Sequence, residues 1–207
     1  MMLPAIGRAQ STIPVSRSVG QSVSQSAGKH GYEGESPMSS NAKNVEISTV
    51  ALQETVDYVA VTRLQGAYAD VVNRRAWTEL DELFRPDAHV TVDTVTNDPF
   101  ELDGPVAVGA FIGGAIERFS FFEFVILNTR VSLGVDGDAS RATARVFMCE
   151  LRQDGDNGHA SQAFGVYHDH YVKIEGRWWF AKRNYQSLTR TGRNEVFDFP
   201  PEFGWNL

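Results

Sequence analysis

In this 207-residue chain, the residue with the clearest chemical potential is a carboxylate on an otherwise apolar strand face. Glu150 follows Val146 and Met148 at two-residue steps, and alternate residues of a strand share a face. If Val146 and Met148 face a core, Glu150 faces it too, where loss of water would make a carboxylate a stronger base. Two other readings compete: an ion pair with Arg152, or a strand that has already emerged into water ahead of Asp154. His168 and His170 also share one face, a spacing that can chelate a metal, but a third ligand is required. Only His89 and His159 remain in the folded region and no spacing selects either. The pair is therefore read as facing solvent or a second subunit, and no metal is expected. Asp169 lies on the opposite face with Tyr167 and Tyr171, where it either lines a pocket or pairs with Arg183 on the next strand. No phosphate-cradling glycine loop or G-x-S-x-G turn is present, and Gly109, Gly113 and Gly114 fit close helix packing.

These residues need a sheet to hold them. Turn clusters at 134–138, 154–158 and 175–176 separate β-branched and aromatic runs, which predicts antiparallel strands near 121–133, 140–153, 160–174 and 177–188. In the second of these, Ala142, Ala144, Val146, Met148, Glu150 and Arg152 are expected inward, because small alanines let helices pack close. Helices come first, over 47–84 and 104–118. Leu52, Val56, Val59, Ala60, Leu64, Ala67, Tyr68 and Val71 form one apolar stripe. Thr78 is placed to cap a short second helix that Pro86 ends, and His89 to Val95 alternates as a strand. Asp103-Gly104-Pro105 introduces a third helix, with Val106, Phe111, Ile112 and Ile116 as its apolar side. Helices followed by a curved sheet give an α+β fold whose concavity can hold a small molecule.

Composition narrows the function. A net charge of −7 argues against nucleic acid, and no apolar run reaches membrane-spanning length, so a cytoplasmic protein is expected. The single cysteine, Cys149, excludes an internal disulfide and reads as a buried, inert thiol. Residues 1–37 are rich in Ser, Gly and Gln without apolar periodicity, and disorder is expected there, with the extension running to residue 44. Two origins stay open: an extension upstream of a natural start at Met38, or a targeting segment.

Two long runs carry a resemblance. Tyr68-Ala69-Asp70-Val71-Val72-Asn73-Arg74-Arg75-Ala76-Trp77-Thr78-Glu79-Leu80 leads into Leu83-Phe84-Arg85-Pro86-Asp87-Ala88. The second run is Tyr167-His168-Asp169-His170-Tyr171-Val172-Lys173-Ile174-Glu175-Gly176-Arg177-Trp178-Trp179-Phe180. With Gly137-Asp138 before a strand, they resemble SnoaL-like proteins of the NTF2-like superfamily over about residues 45–188. The resemblance implies a cone-shaped α+β barrel, a curved antiparallel sheet wrapped by N-terminal helices, assembled as a homo-oligomer, dimer or trimer. It implies cofactor-independent acid–base chemistry on an apolar, polycyclic or aromatic molecule by a lyase, isomerase or cyclase. Non-catalytic binding modules belong to the same superfamily, as do scaffolding subunits like the small subunit of ring-hydroxylating oxygenases.

The dehydratase branch pairs an aspartate at the end of the first helix with a histidine on the first meander strand, a base held by a carboxylate. Here the aspartate position falls on Asn73 and the histidine position on Phe124, or on Glu123 if the register slips, so the usual base is missing. Asn73 keeps a polar contact or caps the helix. Tyr68 matches a pocket tyrosine of bile-acid dehydratases, whose phenol can donate to a carbonyl, or is a core tyrosine. The expected catalytic set is Tyr68, Glu150 and Asn73, with Phe124, Val146, Met148, Tyr167 and Asp169 as pocket lining. Phe197-Asp198-Phe199 resembles the tail that covers the pocket in scytalone dehydratase, so Phe197 and Phe199 either close the site or pack outside it, over 189–207. Since residues 1–37 lack a core pattern, a chain starting at Met38 is expected to keep its thermal stability within about 0.5 kcal/mol. A markedly less stable truncation would show that the extension packs on the domain.

Overall fold

A computed structural model describes residues 48–191 and 195–196, so the N-terminal extension and the aromatic tail residues Phe197 and Phe199 lie outside the described residues. Helix α1 spans Thr49–Arg74, with the Ser48 hydroxyl accepting from the Ala51 N–H at 3.1 Å. It ends at Arg75, whose left-handed backbone (φ 56°) turns its N–H onto the Val71 and Val72 carbonyls. The short second helix expected after it is a 3-10 helix over Trp77–Glu82. Thr78 lies inside that piece, which has no side-chain cap. The packed face of α1 is turned from the apolar stripe. Asp57, Val61, Leu64, Gln65, Tyr68, Val71 and Val72 are buried, while Leu52 and Val56 stay 55% and 52% exposed. The two polar members of that face are partnered across the fold. Trp178 Nε1 donates to Asp57 at 2.9 Å, Lys173 Nζ lies 2.6 Å from it, and Gln65 donates to the Tyr171 hydroxyl at 2.9 Å.

Strand β1 covers Phe84–Asp93, so Pro86 lies in a strand and does not simply end a helix. It is tolerated because the β1 register shifts between Phe84 and His89, where a missing N–H breaks no ladder bond. A short strand unforeseen in the sequence, β2 (Phe100–Asp103), pairs with β1 and leads into helix α2 (Gly104–Ile116). Gly104 has φ +75°, and a Cβ there would sit 2.9 Å from the Pro86 carbonyl oxygen, so glycine is required at this corner. Gly109 and Gly113 lie against Trp77, whose ring packs across α2. Val106 is 77% exposed, which removes it from the apolar side expected for this helix.

Strands β3 (Phe119–Leu133), β4 (Arg141–Asp154), β5 (Ala160–Ile174) and β6 (Arg177–Arg190) form the meander. The sheet runs β2-β1-β6-β5-β4-β3, with β1 parallel to β6 and a short β7 (Glu195–Val196) beside β6. It is curved but not closed: β2 and β3 are its two edges. Two register shifts between β5 and β6 decide what faces inward. Phe180, Arg183, Tyr185, Ser187 and Arg190 oppose Tyr171, Asp169, Tyr167, Gly165 and Ala163, so bulges near residues 181 and 188 keep this set on the inner face.

Asp57 ties α1 to the β5–β6 hairpin. Burial alone would raise its pKa, but Lys173, Trp178 and Gln53 outweigh that and hold it below the ordinary value. A depressed carboxylate contributes stability above its unfolded pKa, near 4, and loses it as pH falls through the lower folded value. Asp57→Asn is expected to cost about 1–3 kcal/mol at neutral pH, with a smaller deficit below about pH 4. Denaturant melts across pH check this; a deficit independent of pH would contradict the charge-based account.

Candidate functional site

Between α2, β1 and the inner face of the meander lies a cavity of about 230 Å³. Val90 and Val92 of β1, Phe111 and Ile112 of α2, and Phe122 and Phe124 of β3 give it apolar walls. Into this enclosure reach Tyr68, Tyr167, Tyr185, Arg183, Glu150 and Arg152, with Arg118 and Arg190 also lining it.

Arg183 is 3% exposed and is held as a fork against Asp169, with Nε–Oδ1 at 2.7 Å and Nη2–Oδ2 at 2.8 Å. The Tyr171 hydroxyl donates to the same Oδ2 at 2.7 Å and itself accepts from Gln65 at 2.9 Å. The guanidinium carbon lies 4.1 Å from the ring centroids of both Tyr68 and Tyr167 and 4.4 Å from that of Phe180. Burial would lower the pKa of this cation, but the Asp169 carboxylate outweighs it and the guanidinium stays charged. Its Nη1 is buried without a hydrogen-bond partner. A charged donor in that condition is costly unless something in the cavity accepts from it.

Glu150 and Arg152 are the other charged pair of the cavity. Arg152 Nε donates to Glu150 Oε2 at 2.8 Å and Nη2 reaches the same oxygen, while Oε1 accepts nothing from the described residues. Burial pushes the phenols upward: Tyr68 despite the opposing Arg183 cation, Tyr167 well above the ordinary value, and Tyr185 to about 12. They are neutral hydrogen-bond donors throughout the physiological range. The Tyr185 ring has its place because Gly165 lacks a side chain; a Cβ there would lie 2.4 Å from Cε2 of that ring.

The expected residues are therefore divided. Tyr68, Glu150, Phe124 and Tyr167 meet at the cavity. Val146 and Met148 face inward but do not line it; they are 2% and 0% exposed inside the hydrophobic cluster that includes Tyr68, Phe124 and Tyr167. Asp169 lies behind Arg183, its carboxylate occupied by that arginine and Tyr171. Asn73 is neither a helix cap nor a cavity group. Its amide donates to the Phe124 carbonyl at 3.0 Å and its oxygen accepts the Phe124 N–H at 2.6 Å, clamping α1 to β3. Arg118, Arg190 and Tyr185 are site residues the sequence reading missed; only inward parity on β6 could have signalled the last two, and the bulges hide it. Cys149 is buried, and burial pushes its thiol up. Among the described residues no group of three or more His, Cys, Asp or Glu is placed to hold a metal, and no helix is long and apolar enough to cross a membrane.

Residues 53–184 match the SnoaL-like domain family. No protein of curated function matches the sequence. Solved structures share the fold. Hexachlorocyclohexane dehydrochlorinase LinA-type3 from Novosphingobium barchaimii is 19% identical with a TM-score of 0.60, over 72% of this chain and 99% of that one. A protein from Novosphingobium aromaticivorans provisionally described as a scytalone dehydratase is 20% identical with a TM-score of 0.59, over 72% and 96%. An NTF2-like protein with a cystatin-like fold from the same organism is 16% identical with a TM-score of 0.54, over 69% and 92%.

The raised phenols make a pH prediction. A group whose folded pKa is raised contributes stability fully present below its unfolded value, about 10 for tyrosine, and lost as pH rises through the folded value. Ultraviolet titration is expected to show Tyr68, Tyr167 and Tyr185 still protonated near pH 10, with stability falling between there and about 12, the value for Tyr185. Ionisation of all tyrosines near 10 in a folded protein would contradict the enclosed site.

Proposed function

Because the chain belongs to the SnoaL-like family, and so to the NTF2-like superfamily, we propose that it is a cofactor-independent acid–base catalyst, a lyase, isomerase or cyclase acting on a small apolar molecule. The observation that carries this reading is the unpartnered Nη1 of Arg183 in the same apolar cavity as Glu150. Glu150 Oε1 takes a proton from carbon next to a carbonyl. The charge that develops on the carbonyl oxygen is met by Arg183 Nη1, with the neutral Tyr68 and Tyr167 phenols as further donors. The donors need no rearrangement as charge develops, because Asp169 fixes the guanidinium in advance. If a leaving group sits on the next carbon, the C–H electrons form the new C=C bond as that group departs, which is elimination. Otherwise the proton returns to a different carbon, which is isomerisation. A dehydrochlorinase among the structures of the same fold is consistent with elimination. At about 230 Å³ the cavity is smaller than the roughly 300–1,000 Å³ common for ligand pockets, which favours one or two rings over a larger polycycle.

A second reading has its own observation. Asn73 and Phe124, at the positions of the family's usual aspartate and histidine, are bonded to each other through the Phe124 backbone and offer no base. That favours a ligand-binding module.

Deuterium incorporation into 1-tetralone in heavy water separates the two without a known substrate. Wild-type protein is expected to accelerate exchange next to the carbonyl, and Glu150→Gln to slow it by about 10²- to 10⁴-fold while ketone affinity holds. Equal exchange by both proteins would remove Glu150 as the base. Binding without exchange in either would establish the module reading.

A further inference from the structure

We propose that the open end of the cavity is an oxyanion subsite formed by Arg118, Arg152 and Arg190, so that the molecule bound is an amphiphile with an apolar ring system and a carboxylate or phosphate ester. This rests on the reading of the cavity as the ligand site and adds the class of ligand.

Three elements bring the guanidiniums together. Arg152 lies near the end of β4, and Arg190 ends β6, opposite Ala163 of β5. Arg118 precedes β3, and its carbonyl accepts the Gly155 N–H at 2.9 Å, which ties it to the β4–β5 turn. The Phe119 ring is shared by two of them, with the guanidinium carbons of Arg118 and Arg152 at 4.8 and 5.4 Å from its centroid. All three arginines line both the apolar cavity and an adjoining polar hollow of about 170 Å³ that adds His159, Ser161 and Gln162.

Among the described residues the charge there is only partly balanced, three arginines against Glu150 and Asp154. Glu150 is the one carboxylate lining the apolar cavity among the described residues, and it is bonded to Arg152. Asp154 lines the polar hollow, but its Oδ1 accepts the Asp156 and Asn157 N–H groups at 3.1 and 3.3 Å in the turn. Arg118 and Arg190 form no ion pair among the described residues, and Arg190 Nε is buried without a partner. A chain of net charge −7 thus gathers three cations where an apolar cavity meets a polar hollow, and their mutual repulsion is relieved by an anion. Guanidinium forks fit the paired oxygens of carboxylate and phosphate. The apolar walls lie directly inside, so the ligand's rings and its charge are recognised by adjacent surfaces.

The test measures affinity by calorimetry for three probes on one ring system: 2-naphthoate, 2-naphthyl phosphate and neutral 2-acetylnaphthalene. At least one anionic probe is expected to bind about tenfold or more tightly than the neutral one, with the preference shrinking as salt rises. The tighter anion identifies which oxyanion the subsite takes. Arg118→Gln with Arg190→Gln is expected to bring the anionic probes to the affinity of the neutral one. Equal affinities in the wild type, binding of none of the three, or a preference that survives the double substitution would overturn the subsite. A folded state equal to wild type by circular dichroism guards the comparison, and Arg118→Gln alone, at an exposed position, serves if the double variant does not fold. Affinity is read without turnover, so failure here is distinct from failure of the deuterium exchange.

Discussion

One buried ion pair organises the inner half of this molecule. A guanidinium as enclosed as Arg183 would be expelled from an apolar sheet were it not for Asp169 directly opposite it on β5. Tyr171 and Gln65 satisfy the carboxylate's further demand and extend the network to α1. Taking away one member of such a pair leaves an uncompensated charge and typically costs about 3–5 kcal/mol. The pair also dictates register: Arg183 opposes Asp169 only because β6 carries a bulge ahead of it. The cavity owes its polarity to the same arrangement, since two of the guanidinium's three nitrogens are fixed on Asp169 and the third, Nη1, is left over. The aromatic rings stacked on the cation exclude water from it and hold their own phenols neutral at the cavity wall.

The opposite wall works differently. Asn73 welds α1 to the Phe124 backbone, so both groups of its amide are spent on a structural joint. Glu150 lies on the neighbouring strand, in register with Phe124, and brings a carboxylate to the same wall of the cavity. Arg118 and Arg152 lie against the Phe119 ring and Arg183 against the Tyr68, Tyr167 and Phe180 rings, so these cations of the site pack on separate aromatic groups.

Much of the architecture was legible in the sequence where alternation was unbroken. The β4 strand reads inward at Ala142, Ala144, Val146, Met148 and Glu150, and the turn glycines mark the hairpins within a residue or two of the observed ends. Legibility failed where a rule was locally overridden. On α1, Asp57 and Gln65 are buried because they have distant partners, which rotates the packed face from the apolar stripe. Pro86 reads as a stop and sits in a strand, because the β1 register skips there. On β6, simple alternation from Trp178 and Phe180 would place Lys182 inward; the bulge gives that position to Arg183, so the central residue of the site was visible only as a possible partner of Asp169. Asn73 was legible only as a polar contact or a helix cap, since its partner is a main-chain group 51 residues away that no side-chain pattern records.

On this reading Arg183 offers one fixed, unpartnered donor to a ligand's carbonyl oxygen inside an apolar cavity. The crystal structure of the protein with 1-tetralone bound tests it most directly. The ketone oxygen is expected within roughly 3 Å of Arg183 Nη1, with the carbon next to the carbonyl turned towards Glu150 and the Asp169–Arg183 fork unchanged. A ketone bound with its oxygen at the arginine-rich opening or on a phenol alone, with Nη1 left unmet, would contradict it.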